Sequence, residues 1–448
     1  MDTKITQVIK RSGAVVPFNP ERITNAIYRA AVAVGGRDRE TAENLSIEVV
    51  RILEEQTPED KIPCIEDIQD IVEKVLIENG HAQVAKAYIL YRSERELRRK
   101  ERAEKAIKPS ENIPWAKLWH VLNWSVDQGT NTIAGLNQRI KNGELPDLIH
   151  ASEKAYREDV ENAAELVAAR SDELRMVIIT GPSSSGKTTT TTKINQRLSH
   201  IGKKLVTLNV DHYFFSLDMH PKDEFGDYDF ETPQALNLKL INEHLKSLFA
   251  GEEVLIPYYD FKTGQSQPDH TPMQLEPGDI VLIDSLHGLY KDMSEGIPAE
   301  YMFKLYLEPL LQMKDDQGKY IRWTDIRLMR RMLRDATFRA YDFRKTLLHW
   351  HYVRSSEMRN IIPYINTVDY IVNSAMPYEL ALYTHKLRAE FAQWVEDYHE
   401  DPLRQDAFFR AQRVSKLLNS ISPVDDDTGV PSDSVIREFI GGSIYDLH

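Results

Sequence analysis

The run Gly181-Pro182-Ser183-Ser184-Ser185-Gly186-Lys187-Thr188 fits the pattern G-x-x-x-x-G-K-[ST], which has a physical use only where a strand feeds a helix through a tight loop. Both flanks supply that context. Met176 to Thr180 is short, apolar and β-branched, and Thr189 to His200 carries helical spacing. Glycines let the backbone wrap closely around phosphate oxygens, and the helix start adds free N–H groups and the positive end of its dipole. The pattern predicts a nucleoside triphosphate site, with Gly181, Ser183, Ser184, Ser185, Gly186, Lys187, Thr188 and Thr189 on the phosphates. Lys187 brings a charge that can follow a phosphoryl group, and Thr188 is placed to hold a magnesium ion.

The chain has 448 residues, too many for one ordinary core, and its 42% apolar and 28% charged composition is that of a soluble globular protein. No apolar run approaches a membrane span, and Met1-Asp2-Thr3-Lys4 has no signal core, so a cytoplasmic location is expected. A net charge of −13 argues against nonspecific nucleic-acid binding, which needs basic surface to release counterions. The single cysteine, Cys64, excludes an internal disulfide and reads as a small buried residue. His349 and His351 flank Trp350 at a spacing that sends them to different helix faces, so they read as ordinary residues.

Four stretches are expected along the chain. Residues 1–92 open with strand-like Ile5 to Lys10 and Ala14 to Phe18, then show helical periodicity over Pro20–Val34, Arg39–Glu55, Ile65–Glu78 and Ala82 to about Arg98. Residues 93–170 read as a mostly helical linker region. Its start, Ser93 to Lys105, is almost wholly charged, its middle mixes tryptophans with turn signals, and Leu148–Ala169 is helical. Residues 171–385 alternate strands and helices, which is the signature of a parallel sheet flanked by helices; candidate strands are Met176–Thr180, Leu205–Asn209, Ile280–Ile283, Phe303–Leu307 and Asp369–Asn373. Residues 386–448 continue as a helical extension with an acidic tail, in which Ser422 to Ser434, rich in Asp, Pro and Ser, reads as loosely held. The fold class expected is α/β, a phosphate-loop-type parallel sheet preceded by a small α+β domain.

Two of the candidate strands end in carboxylates, where ligand sites of parallel sheets lie. Leu205 to Val210 leads to Asp211, which could take a proton from an attacking hydroxyl. Ile280 to Ile283 leads to Asp284, a partner for Thr188 in holding magnesium. Arg327, Arg330, Arg331 and Arg334 recur at i, i+3, i+4 and i+7 and so share one helix face, from which guanidiniums could close over a transferring phosphoryl group.

From about 175 to 385 the chain resembles the uridine kinase and phosphoribulokinase family of phosphate-loop kinases. Besides the loop itself, the resemblance rests on Val210 to Phe214, Gly226 to Leu236, Ile256 to Gly264, Ile283 to Leu289 and the run from Arg327 to Asp335, in that order. It implies transfer from magnesium ATP to a sugar hydroxyl, with Asp211 as general base and Lys187, Arg330 and Arg334 in the catalytic set. By the same matching, Glu231 would hold ribose hydroxyls, Tyr259 and Phe261 would line the base or sugar pocket, and Arg327 and Arg331 would bind substrate. Two positions depart from the family: Gly264 stands where a pyrimidine-contacting histidine is usual, and Asp284-Ser285 replaces Glu-Gly. The first leaves the acceptor open, because a missing hydrogen-bond partner can abolish discrimination between bases.

Residues 4 to 92 resemble the ATP-cone domain, through Val8 to Gly13, Val16 to Asn19, Ile23, Ile27, Ile68 to Glu73 and Ala87 to Arg92. The resemblance implies an effector site for ATP or dATP at Lys10 and Arg11, with Arg22 beside them, and implies regulation through subunit contacts in a homo-oligomer. The expectation is a nucleoside kinase under nucleotide control acting on a small molecule, without nucleic-acid or membrane partners. A sugar-phosphate kinase with Lys262 near its acceptor, and a nucleotide sensor without turnover, are the alternatives.

Overall fold

The computed structural model describes residues 3–9, 15–36, 38–58, 61–90, 112–220, 231–261, 263–338, 342–401 and 404–446. They fall into two compact units that divide near residue 110.

In the first unit a short antiparallel hairpin pairs β1 (Gln7–Ile9) with β2 (Val15–Pro17). Four helices follow: α1 (Glu21–Ala33), α2 (Arg39–Gln56), α3 (Ile65–Glu78) and α4 over 82–90. Asp38 starts α2 by accepting the Thr41 N–H at 3.0 Å, and Asp67 closes the start of α3 by accepting the Cys64 N–H at 2.9 Å. The apolar faces meet in one core that includes Ile27, Val49, Leu53, Val72, Val75 and Leu76. The hairpin and four helices expected from periodicity are all present. Cys64 is half-buried at the start of α3 and caps it, so the expectation of a core residue is corrected. Lys10 and Arg11 and the charged stretch from Ser93 to Lys105 lie outside the described residues, and Arg22 is exposed in the first turn of α1.

Among the described residues the second unit has seven strands: β3 (Met176–Thr180), β4 (Leu205–Thr207), β5 (Val254–Asp260), β6 (Gln265–Met273), β7 (Ile280–Ser285), β8 (Met302–Glu308) and β9 (Tyr370–Asn373). Five of them form a parallel sheet in the order β4-β7-β3-β8-β9, and β5 and β6 pair as a separate antiparallel hairpin. Alternate residues of the central strands serve two cores, as a strand buried on both faces requires. Val177 and Ile179 of β3, Ile280 and Leu282 of β7 and Leu305 of β8 face one core, while Met176, Ile178, Val281 and Ile283 face the other. The phosphate loop leaves the middle strand, so its ligand side opens at the carboxyl edge of the sheet.

The helices of this unit are α5 (Trp115–Asp127), α6 (Ile133–Lys141), α7 (Leu145–Ala169), α8 (Lys187–His200), α9 (Leu238–Phe249), α10 (Trp323–Phe338), α11 (Phe343–Asn360), α12 (Glu379–Tyr398), α13 (Gln405–Ser420) and α14 (Arg437–Ile440). None of the helices among the described residues is long and apolar enough to cross a membrane. The segment 115–169, expected as a linker, supplies Ile133, Leu136, Leu148, Val160 and Val167 to the same core as the sheet. Asp159 of α7 fixes its position. This carboxylate takes an ion pair from Lys117 of α5, the Tyr370 hydroxyl at 2.6 Å and the Asn373 N–H of β9 at 2.7 Å.

Residues 422–434 are not loosely held, contrary to their composition. Ser422 N–H donates to Asn137, Val424 N–H to the Ala381 carbonyl, and Asp433 pairs with Lys193 at 2.6 Å. Val430 and Ser434 are buried, as are Val435, Ile436 and Phe439 just beyond.

Asp159→Ala is expected to cost about 2–4 kcal/mol by stranding a lysine and two further donors. Urea unfolding of the second unit reads this as a lower midpoint with an unchanged slope.

Candidate active site

The loop between β3 and α8 is shaped by contacts that admit no side chain at two positions. A Cβ on Gly181 would lie 2.3 Å from the Leu307 carbonyl of the neighbouring strand, and one on Gly186, whose φ is +95°, would lie 2.4 Å from Val435. Ser184 also carries a positive φ of 60°. For a residue with a Cβ this is a sparsely populated conformation, held here by its surroundings. The Ser184 and Ser185 hydroxyls are buried without a hydrogen-bond partner in the structure. Orphaned donors in a loop that ends at a helix start suit an anionic ligand, and a triphosphate fits them.

Lys187 folds back over the loop, its Nζ 3.0 Å from the Gly181 carbonyl and 3.4 Å from that of Pro182. Burial draws its ammonium below the ordinary value, against the opposing charge of Asp284. Asp284 stands on β7, where Ile179 of β3 is its register partner. Burial pushes its carboxyl up to about 6, with Lys187 pulling the other way, and the Thr191 hydroxyl donates to it at 3.2 Å. A half-buried carboxylate whose charge is partly compensated by Lys187 suits a divalent cation, which would favour its ionised form. Asp211 follows β4 in a turn over Val210–Tyr213 that Asn209 caps by accepting the Asp211 N–H at 3.1 Å. Its side chain is exposed, and its charge is felt at Asp284. Lys187, Asp211 and Asp284 therefore lie within electrostatic reach of one another at the carboxyl edge of β3, β4 and β7.

The arginine helix α10 departs from its expected role. Arg327 and Arg330 are fully buried. Arg327 makes a two-pronged pair with Glu357 at 2.5 and 2.9 Å, lies 3.4 Å from Glu308, and donates to the Ser183 carbonyl at 3.1 Å. Arg330 forks onto Glu379 at 2.7 and 3.0 Å, and reaches the Ser374 carbonyl at 2.7 Å and the Ser185 carbonyl at 3.5 Å. Burial alone would push Glu357 up, but the Arg327 and Arg354 guanidiniums bring it below the ordinary carboxylate value. These two guanidiniums grip the outside of the phosphate loop rather than open solvent. Arg331 and Arg334 sit further out: Arg331 donates to the Ser183 hydroxyl and to Glu231, each at 3.3 Å, and Arg334 to Asp335. The charge of Arg334 reaches Lys187.

Beside the β5–β6 hairpin, Phe214, His220, Tyr259 and Phe261 form an aromatic cluster, with Tyr259 and Phe261 edge to face at 4.9 Å. Tyr259 is buried within it and Phe261 is 63% exposed, so only Phe261 offers a broad open surface. A cavity of about 200 Å³ beside Tyr213, Phe214, Met219 and Leu240 borders none of the expected site residues. Gly264 turns the β5–β6 hairpin at φ +68°, and a Cβ there would press on Leu217 at 3.0 Å. Any side chain there would sit at a strained φ and push on Leu217. Lys262 and the stretch from Gly226 to Phe230 lie outside the described residues. Sequence reasoning missed His287, buried just beyond Asp284 with both ring nitrogens unpartnered, which burial keeps neutral with its value lowered to about 3. It also missed Glu438, which comes from α14 to accept the Thr189 N–H at 3.1 Å and the Thr189 hydroxyl at 2.8 Å. His287 lies within the stretch Ile283 to Leu289 that carries the family resemblance, though no role was drawn from it, and Glu438 lies in no motif.

Arg330→Met is expected to destabilise the protein by about 3–5 kcal/mol, because it leaves Glu379 buried without its cation. Arg334→Met is expected to stay within about 0.5 kcal/mol of the parent. Denaturant titration of the two variants separates the loop-holding arginine from the outer one.

Comparison with known proteins brings two family models to this chain. Residues 6–97 match the ATP cone domain and residues 176–380 the Phosphoribulokinase / Uridine kinase family. The vitamin B12-dependent ribonucleoside-diphosphate reductase of Thermoplasma acidophilum is 39% identical over 109 residues, 23% of this chain and 14% of the reductase. Uridine kinase-like protein 5 of Arabidopsis thaliana is 27% identical over 198 residues, 43% of this chain and 38% of the plant protein. A uridine kinase of Chloroflexus aurantiacus is 28% identical over 162 residues, 36% of this chain and 68% of that enzyme. Among solved structures, a possible uridine kinase from Bacillus stearothermophilus is 15% identical with a TM-score of 0.34, covering 48% of this chain and 98% of its own. The D-glycerate 3-kinase from Cryptococcus neoformans is 15% identical with a TM-score of 0.26, covering 58% of this chain and 87% of its own.

Proposed function

From a chain that joins an ATP-cone domain to a domain of the phosphoribulokinase and uridine kinase family, we propose an ATP-dependent kinase that phosphorylates a ribose hydroxyl of a nucleoside. The observation that carries the reading is the convergence of the phosphate loop, Asp211 and Asp284 at one edge of the sheet. Asp211 takes the proton as the acceptor hydroxyl oxygen bonds to the γ-phosphorus and the bond from that phosphorus to the β,γ-bridging oxygen breaks, releasing ADP. Lys187, Arg331 and Arg334 neutralise the charge spread over the transferring oxygens, while Arg327 and Arg330 keep the loop in shape behind them. Thr188 and Asp284 would hold magnesium, which screens the β- and γ-phosphates and orients them. Glu231, placed by Arg331, serves the ribose hydroxyls, and Phe261 offers an open ring to the acceptor. The ATP cone takes ATP or dATP as effector through Lys10, Arg11 and Arg22, in a homo-oligomer that works in the cytoplasm.

The crowded turn at Gly264 favours a second reading, in which the acceptor is a phosphorylated sugar that needs no base contact. One assay separates the two. ADP formation with magnesium ATP is measured against nucleosides, ribose and pentose phosphates, with and without dATP, beside Asp211→Asn. The expected result is turnover with a nucleoside that falls about 10²–10⁴-fold in the variant. Turnover confined to pentose phosphates selects the second reading. ATP binding with no turnover on any acceptor overturns both.

A further inference from the structure

The Thr189 N–H belongs to the first turn of α8, where backbone donors have no partner within the helix and a phosphate oxygen would normally be bound. In this protein a carboxylate already occupies it. Glu438, only 3% exposed, accepts both the Thr189 N–H and the Thr189 hydroxyl through one oxygen, at 3.1 and 2.8 Å. Its charge also reaches Lys187 and Asp284, so it lies within the electrostatic field of the loop.

Glu438 is held there by an anchored turn. Arg437 ties α14 to the Asp427 and Val430 carbonyls at 2.7 and 2.8 Å. Val435, Ile436 and Phe439 are fully buried, with the Phe439 ring 4.9 Å beneath the Arg330 guanidinium. Val435 packs on Gly186 so closely that a Cβ on the glycine could not be accommodated. Asp433 and Ser434 fasten the preceding residues to Lys193 and to Glu153. The backbone of this segment is thus part of the core, and Glu438 reaches the loop from it through its side chain.

We propose that Glu438 is a built-in competitor for the donor nucleotide: its carboxylate stands in for a phosphate oxygen at Thr189 and must swing away before the triphosphate can use that donor. This rests on the reading of Gly181 to Thr188 as the donor site. Two anions cannot share the Thr189 N–H and hydroxyl, so donor affinity in the parent protein is lowered by the free energy of displacing the carboxylate. The segment 433–439 therefore tunes how much ATP is needed to fill the site, and any ligand or contact that draws Glu438 outward raises donor affinity.

The test is isothermal titration of the full chain with ADP and with inorganic pyrophosphate, in the parent, Glu438→Gln, Glu438→Ala and, as control, Lys187→Ala. Glutamine keeps the length and a carbonyl acceptor but loses the charge. The expected result is about tenfold tighter binding of both ligands in the glutamine and alanine variants, with unfolding temperatures recorded alongside. Should Glu438→Gln not fold, Glu438→Ala carries the same expectation. Parent binding that Lys187→Ala abolishes, but that neither Glu438 variant tightens, overturns the competitor role while leaving the donor site in place. Absence of binding in parent and variants alike removes the donor-site reading and this inference with it.

Discussion

The phosphate loop keeps its shape because two buried guanidiniums hold its carbonyls from behind. Arg327 reaches the Ser183 carbonyl and Arg330 that of Ser185, and Ser374 adds its hydroxyl to the latter. A guanidinium fully out of water is tolerable only where carboxylates meet it, and Glu357, Glu308 and Glu379 do so. The loop, the arginine helix, the end of β8 and the two helices carrying Glu357 and Glu379 form one electrostatic unit. Removing Arg330 leaves Glu379 buried without its cation, which is why these inner arginines bear on stability more than the outer pair.

Much of the sheet was legible because parallel strands buried on both faces read as unbroken apolar runs. Met176–Thr180 matches its expected span, and β7, β8 and β9 depart from theirs by one or two residues at an end. The β5–β6 hairpin was not legible. Its second strand, Gln265–Met273, is mostly exposed, polar and interrupted by two prolines, so its pairing comes from tertiary context rather than pattern. Residues 115–141 likewise looked undecided because tryptophans and turn signals alternate, yet they resolve into α5 and α6, with Thr132 capping the latter.

The site divides along the same line. The loop and the two strand-end carboxylates are local features of the sequence, and the family resemblance singled out Asp211 as the base. The arginine spacing told which residues share a helix face but not what that face meets, because Glu357 and Glu379 lie 30 and 49 residues further along. Composition misjudged 422–434 for a related reason: Asp, Pro and Ser signal solvent, while the apolar residues that fasten the segment are few and spaced by the tertiary fold. Gly264 is the opposite case, since the departure seen in sequence is explained by a positive φ and a close neighbour.

Synthesis of the chain gives the fastening of 433–439 a temporal meaning. Lys193 meets Asp433 across 240 residues, Thr189 meets Glu438 across 249 and Ser434 meets Glu153 across 281. Closures of such span come late in folding, because loop entropy must be lost before the contact returns anything. On the ribosome, the phosphate loop emerges roughly a dozen seconds or more before the residues that pack on it, at about 5–20 residues per second. A nascent chain stalled before residue 433 would carry a loop without its covering segment.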